Sequence, residues 1–173
     1  LFFGLIRKYK GLDLLIEAFA RPPLEEKNVI LAIVGELYEP KEKYTQRIKE
    51  LKLNERVICD FEYANAHKAA TAFCAADVIA QTYTSATQSG VTPLAYHYQT
   101  PILASDLPGL SAPIVKDQTG KVTEINPEKI AKNLSQMLEE NTLSEFKVAF
   151  QNVQTDYSWK RFGQSLMRFL GEL

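Results

Sequence analysis

Cysteine and histidine are scarce in this sequence, with two of each in 173 residues. Cys59 and Cys74 lack CxxC spacing, so neither a metal site nor a disulfide scaffold is indicated. Both stand in apolar segments and read as small buried hydrophobes, in keeping with a reducing, cytoplasmic setting. Net charge is also small, −1 overall, so no strong field points to nucleic acid or to an acidic membrane. No apolar run approaches the roughly 20 residues that a membrane-spanning helix needs. Internal repeats, low-complexity tracts and flexible linkers are missing too. The first residues are Leu1-Phe2-Phe3-Gly4, with no methionine. A strand-like start of this kind reads as a piece of a longer protein whose N-terminal part lies outside the chain. Any peripheral membrane association would be set mainly by that part.

What is present is ordinary for a globular domain: 46% hydrophobic and 24% charged residues, at a length that suits one domain. Leu1–Ile6 reads as a buried strand broken by Gly4, as happens where a backbone or ligand approaches closely. Arg7-Lys8-Tyr9-Lys10-Gly11 is the densest basic cluster. A helix follows over Leu12–Ala20, stopped by Arg21-Pro22-Pro23. Residues 28–35 (NVILAIVG) read as a central strand buried on both faces. A polar amphipathic helix is expected over Tyr44–Leu53 and a strand over Arg56–Phe61. Asn65 is the expected cap of a helix over His67–Ala76, and Val78–Thr82 is the next strand.

The loop from Thr82 to Gly90 (TYTSATQSG) carries no charge at all. Small hydroxyl residues before a glycine at a strand-to-helix junction leave backbone N–H groups facing outward. The following helix, about Gly90 to Tyr98, accepts Pro93 only in its first turn. Its N-terminus favours anions, so the loop reads as a phosphate cradle, with an ordinary strand-to-helix turn as the competing reading. The segment continues as a strand over Pro101–Ser105 and a turn-rich loop over Asp106–Leu110. A strand over Gly120–Ile125 and a helix started by Asn126-Pro127 follow. Thr142-Leu143-Ser144-Glu145 has the capping-box pattern. Ser158 is placed as the cap of a last helix, whose stripe of Trp159, Phe162, Leu166, Phe169 and Leu170 reads as packing. Strands and helices alternate about six times, which implies α/β architecture with a parallel sheet and helices on both faces. Ligands of such sheets bind at the carboxyl ends of the strands.

The order of these features resembles the C-terminal, donor-binding domain of a two-domain GT-B glycosyltransferase, most like the large retaining family 4. The residues that carry the resemblance are FFGLIRKYKGLDLLIEAF, LAIVGE, FEYANAHKAATAFCAADVI and TPILASDLPGL with TGKV. The resemblance implies a Rossmann-like sheet, one half of a GT-B fold, over residues 1–173, with the N-terminal acceptor domain outside the chain. It implies hexosyl-type transfer from a nucleoside-diphosphate sugar to an acceptor hydroxyl, without a metal or other cofactor, and little turnover by this piece alone. Lys10 matches the family's diphosphate-binding lysine; Leu5 stands where the partner arginine is usual, and Arg7 is its substitute. Gly4 gives close approach, Phe61 and Tyr63, flanking Glu62, lie where the base sits, and Thr87, Gln88, Ser89, Gly90 and Val91 hold sugar and phosphate oxygens. The family's two glutamates, one at the donor sugar and one at the ribose, are Ala86 and Leu94 here. The SATQSG loop is similar to a variant in a bacterial branch, where cell-envelope polysaccharide synthesis is the expected setting. Lys8 and His67 read as solvated and His97 as structural. A non-catalytic nucleotide- or partner-binding domain stays open, and so does a GT-B-like epimerase or phosphorylase.

Overall fold

The computed structural model describes residues 1–153 and 157–171, apart from the side chain of Trp159. Its parallel strands are β1 (Phe2–Phe3), β2 (Leu31–Val34), β3 (Val57–Asp60), β4 (Ile79–Gln81), β5 (Ile102–Ser105) and β6 (Gly120–Thr123). Two three-stranded groups pair as β1-β2-β3 and β4-β5-β6. They join edge to edge: the Leu1 amino group donates to Val78 O at 2.7 Å and Ala80 N–H to Leu1 O at 2.9 Å. The resulting order, β3-β2-β1-β4-β5-β6, reverses direction between β1 and β4, and that switch point is where a crevice opens beyond the strand ends.

Side-chain alternation along the strands divides the core into two. Phe2, Ala80 and Leu103 face one cluster with Leu12, Leu15 and Ile16 of α1 (Leu12–Phe19), Tyr44 and Ile48 of α2 (Lys41–Glu50), and Ile130 and Leu134 of α6 (Pro127–Met137). Phe3, Ile79, Ile102 and Ala104 face the other. There they meet Phe73 of α3 (Ala66–Ala75), Ala95 of α4 (Val91–Tyr98), Ile114 of α5 (Pro108–Asp117) and Phe150 of α7 (Glu140–Val153). Asn65 caps α3 by accepting from Lys68 N–H at 2.9 Å, and Asn126 caps α6 by accepting from Lys129 N–H at 3.1 Å, as their positions in the sequence imply.

Several expectations are corrected. The first strand is only Phe2–Phe3, because Gly4 turns away at φ +102°. The segment expected as a turn-rich loop after β5 is the start of α5. Pro108 stands in its first turn, where no N–H is needed, and Leu110 and Ile114 supply a buried face. Thr142 does not begin a helix: Leu143 N–H already bonds Glu139 O at 3.0 Å, so α7 is wound one turn earlier. Cys59 and Cys74 are exposed. Cys59 lies on β3, an edge strand, and Cys74 falls beside the buried face that Ala69 and Phe73 define. Of the stripe on α8 (Trp159–Gly171), Phe162, Leu166, Phe169 and Leu170 are exposed rather than part of the core, and the side chain of Trp159 lies outside the described residues. Ser158 does cap α8, accepting from Arg161 N–H at 3.2 Å. Among the described residues, no helix is long and apolar enough to cross a membrane.

Candidate functional site

Lys10 closes a short 3-10 turn (Lys8–Lys10) that begins beyond β1, at the switch point. The turn is bolted to the segment after β4. Thr84 N–H donates to Tyr9 O at 2.7 Å, Thr82 Oγ1 donates to Gly11 O at 2.9 Å, and a Cβ on Gly11 would lie 2.1 Å from Thr82 O. Lys10 is only 8% exposed. Among the described residues its ammonium has no ion-pair or hydrogen-bond acceptor, although a Cβ placed on Gly4 would meet it at 3.1 Å. Its nearest aromatic is the Tyr83 ring, with the ammonium 5.4 Å from the centroid. Burial holds its pKa below the ordinary lysine value, and the charge of Arg7 lowers it further. A partly desolvated cation with a second cation nearby and no counter-charge is an arrangement that an anion completes.

The opposite wall is the first turn of α4. Val91 Cγ2 stands 3.6 Å from the Cβ position of Gly4, so Gly4, Lys10 and the helix start converge. Gly4 contributes space rather than a donor, because its N–H is bonded to Val34 O at 3.0 Å. The cradle is narrower than the sequence implies. Val91 N–H is taken by Ser89 Oγ at 3.2 Å and Thr92 N–H by Ser89 O at 3.2 Å. Ser89 Oγ also pairs with the Tyr83 hydroxyl at 3.1 Å. The N–H groups of Thr87, Gln88, Ser89 and Gly90 have no acceptor among the described residues, and Thr87, Gln88 and Gly90 are exposed.

The remaining sequence-derived positions divide. Arg7 is exposed, with its guanidinium 4.6 Å over the Tyr38 ring. It lines an open groove of about 610 Å³ with Lys8, Tyr9, Tyr38, Glu39 and Thr84. Phe61 is half-buried on the core, and Tyr63 is 70% exposed. Both lie on the loop after β3, two strands from Lys10. Ala86 and Leu94 pack against the second core cluster and offer no acid. His67 is exposed. His97 is exposed on another face of α4, beside an apolar cavity of about 560 Å³ that includes Tyr96, Pro113 and Phe150. No cluster of three or more His, Cys, Asp or Glu that could hold a metal is found among the described residues.

Sequence reasoning missed three supports. Tyr83 is 2% exposed and burial pushes its hydroxyl up to about 12, so it remains a neutral partner for Ser89. Its position as the one aromatic in an uncharged loop was the available signal. Gln81, fully buried, pairs with Thr92 Oγ1 at 3.1 Å and ties β4 to the first turn of α4. Gly109 lets α5 approach the cradle: a Cβ there would fall 1.8 Å from Thr87 O.

Comparison with known proteins follows the same outline. The family of glycosyl transferases group 1 matches residues 1–152. The C-terminal domain of a glycosyl transferase group 1 family protein (LpcC) from Francisella tularensis superposes with a TM-score of 0.76 at 22% identity, over 91% of this chain and 85% of that one. Anabaena Alr3699/HepE in complex with UDP gives a TM-score of 0.78 at 21% identity, over 99% of this chain and 49% of that one. WaaG, a glycosyltransferase involved in lipopolysaccharide biosynthesis, gives 0.72 at 21% identity, over 90% and 42%. This chain thus spans less than half the length of the latter two. No curated protein matches. The fold is the Rossmann-like half of a GT-B enzyme, and by its match over residues 1–152 the chain belongs to the glycosyl transferases of group 1.

Proposed function

We propose that this chain is the donor-binding domain of a glycosyltransferase that takes a nucleoside-diphosphate sugar and delivers the glycosyl group to an acceptor hydroxyl with retention. The observation that carries the proposal is Lys10, a largely buried lysine whose ammonium has no acceptor among the described residues, beside Gly4 and the start of α4. In this reading the diphosphate lies on Lys10 and the free N–H groups of Thr87–Gly90, with Arg7 at the rim. When the bond between the anomeric carbon and the diphosphate oxygen breaks, the electron pair stays on that oxygen. Fixed cationic and N–H donors stabilise the developing charge without reorganising. Thr87 and Gln88 supply sugar contacts, while Phe61 and Tyr63 offer ring faces to the base. Ser89 acts through its bonds to Tyr83 and Val91. That the similar Anabaena protein is seen in complex with UDP supports a nucleotide as the ligand. Metal-independent transfer, a family 4 assignment and a role in bacterial polysaccharide synthesis follow from the sequence resemblance and are part of the proposal. So is an N-terminal domain that supplies the acceptor, without which residues 1–173 bind nucleotide but turn over little.

Calorimetric titration with UDP, GDP and ADP tests the reading. At least one diphosphate binds, and Lys10→Ala weakens it by at least about tenfold, as expected for a lost charge-assisted contact. Absence of binding by all three at millimolar concentration overturns it. A second reading, a nucleotide-binding domain without transfer activity, is favoured by one observation: both acid positions are the packed apolar residues Ala86 and Leu94. Glycosyl transfer by the full-length protein eliminates that reading.

A further inference from the structure

The open groove that Arg7 shares with Tyr38 lies beside the cradle but is not part of it. Helices α1 and α2 cover the face of the first core cluster, and α3, α4 and α5 the face of the second. The β3–α3 loop and the cradle therefore lead onto one face of the sheet, and the segments after β1 and β2 onto the other. Two hydrogen bonds carry the pairing of those segments beyond Gly4: Ile6 N–H donates to Glu36 O at 2.7 Å and Tyr38 N–H to Ile6 O at 3.0 Å. This step sets Arg7 against Tyr38, with the guanidinium 4.6 Å over the ring. Thr84, whose Oγ1 donates to Tyr9 O at 3.2 Å, forms the side of the groove next to the cradle loop. None of Thr87–Gly90 lines it, so a molecule in the groove adjoins the cradle without occupying it.

The lining has a definite chemistry. Arg7 and Lys8 are exposed, and among the described residues neither side chain has an ion-pair partner or a hydrogen-bond acceptor. The acid of the lining, Glu39, is committed elsewhere: it accepts from the Tyr44 hydroxyl and from Lys43 Nζ at 3.3 Å. Arg7 and Lys8 thus face the groove without a counter-charge. A phosphate monoester, with close to two negative charges at neutral pH, answers both cations, whereas a carboxylate answers one. Tyr9 and Tyr38 are exposed and bring apolar ring surface and hydroxyls to the same space. A sugar ring, with C–H groups on its faces and hydroxyls at its edge, is complementary to such a surface. The volume, about 610 Å³, is that of a small-molecule site. We propose that this groove is an acceptor subsite, and that the acceptor is a saccharide carrying a phosphate monoester. The inference rests on the donor-site reading above and adds the chemistry of the acceptor to it.

The test uses the 173-residue chain, saturated with UDP and titrated with glucose-6-phosphate, with amide NMR spectra as the readout. The amides of Arg7, Lys8, Tyr9, Tyr38 and Glu39 shift saturably while UDP stays bound. Glucose, which lacks the anion, and inorganic phosphate, which lacks the ring, each bind at least about tenfold more weakly. Lys8→Ala weakens glucose-6-phosphate by about two- to fivefold, as suits an exposed charge. Tyr38→Ala weakens it by about tenfold, because the ring and the seat of Arg7 are lost together. Both side chains are exposed, and both variants keep their UDP affinity within about twofold. Displacement of UDP, or shifts confined to Thr87–Gly90, puts the phosphate in the diphosphate site and overturns the inference while leaving the donor site standing. Inorganic phosphate binding as tightly as glucose-6-phosphate overturns it as well, since the groove is then a patch of charge and not a sugar site. So does a groove left unshifted at about 10 mM sugar phosphate, or an affinity unchanged in both variants. Failure of UDP itself to bind at millimolar concentration removes the donor-site reading. Groove shifts that persist in that case mark a sugar-phosphate site without a part in transfer, and the acceptor role falls.

Discussion

Two cations show how burial separates structure from function at the level of single residues. Arg56 donates to four carbonyls, those of Phe19, Leu24, Glu25 and Lys27, at 3.2, 2.9, 2.9 and 3.1 Å. It closes the segment between α1 and β2, and its charge is answered by backbone oxygen. Lys10 is buried with no acceptor among the described residues. The planar fork of arginine is what reaches several carbonyls at once. Arg56→Ala therefore costs about 3 kcal/mol in urea unfolding, because several carbonyls, three of them in partly buried contacts, lose their donor together. Arg56→Lys recovers only part of this. Thr71→Ala, which removes one exposed hydroxyl contact to His67 O, stays within about 0.5 kcal/mol and serves as the control. A cost for Arg56→Ala as small as the control's would show that those carbonyls are satisfied by water.

Among elements, the cradle depends on α5 as much as on α4. Gly109 is in the first turn of α5, against the Thr87 carbonyl. A methyl group 1.8 Å from that oxygen forces either the helix or the loop to move. The loop is the exposed partner, so Gly109→Ala shifts Thr87–Gly90 and weakens nucleotide binding by about tenfold or more, with a stability loss of about 1–3 kcal/mol. Calorimetry and urea unfolding of one preparation separate the two effects; unchanged affinity would mean that the cradle tolerates displacement. This support was not legible in the sequence. Pro108, Gly109 and Pro113 read as turn residues, and only the spacing of Leu110 and Ile114 across them marks a helix. By contrast, the alternation of strands and helices and the caps at Asn65 and Asn126 followed from local pattern, because each depends on residue types a few positions apart. Exposure of Cys59, Cys74 and the α8 stripe was not legible. It depends on which strand lies at the edge and on what covers a helix face, neither of which local periodicity encodes. Of the site, the basic turn and the cradle were visible as chemistry. The commitment of Ser89 to Tyr83 and Val91 was not, since side-chain pairing across a loop leaves no periodic trace.

For the molecule as a whole, β1 is the element that couples the two halves. Phe2 and Phe3 enter opposite core clusters, and each cluster draws on strands from both three-stranded groups. Neither group has a core of its own, so unfolding is one cooperative transition. In urea, far-UV and tyrosine near-UV circular dichroism then give coincident midpoints; separated midpoints would show that the groups unfold independently. The proposed site lies at the same seam, so a nucleotide bound there would stabilise the whole chain. At a hundred times its Kd, a diphosphate that binds only the folded state adds about 2.7 kcal/mol. Lys10 ties the two properties together. Its charge is partly desolvated without an acceptor among the described residues, so Lys10→Met leaves the ligand-free chain as stable or up to about 1 kcal/mol more stable. The same substitution abolishes most of the nucleotide-linked increment. Stability gained and ligand response lost in one variant is the signature of a residue held for binding at the expense of the fold. A Lys10→Met chain that is less stable by more than about 1 kcal/mol, and still responds fully to nucleotide, would show that the ammonium serves packing and that the diphosphate lies elsewhere.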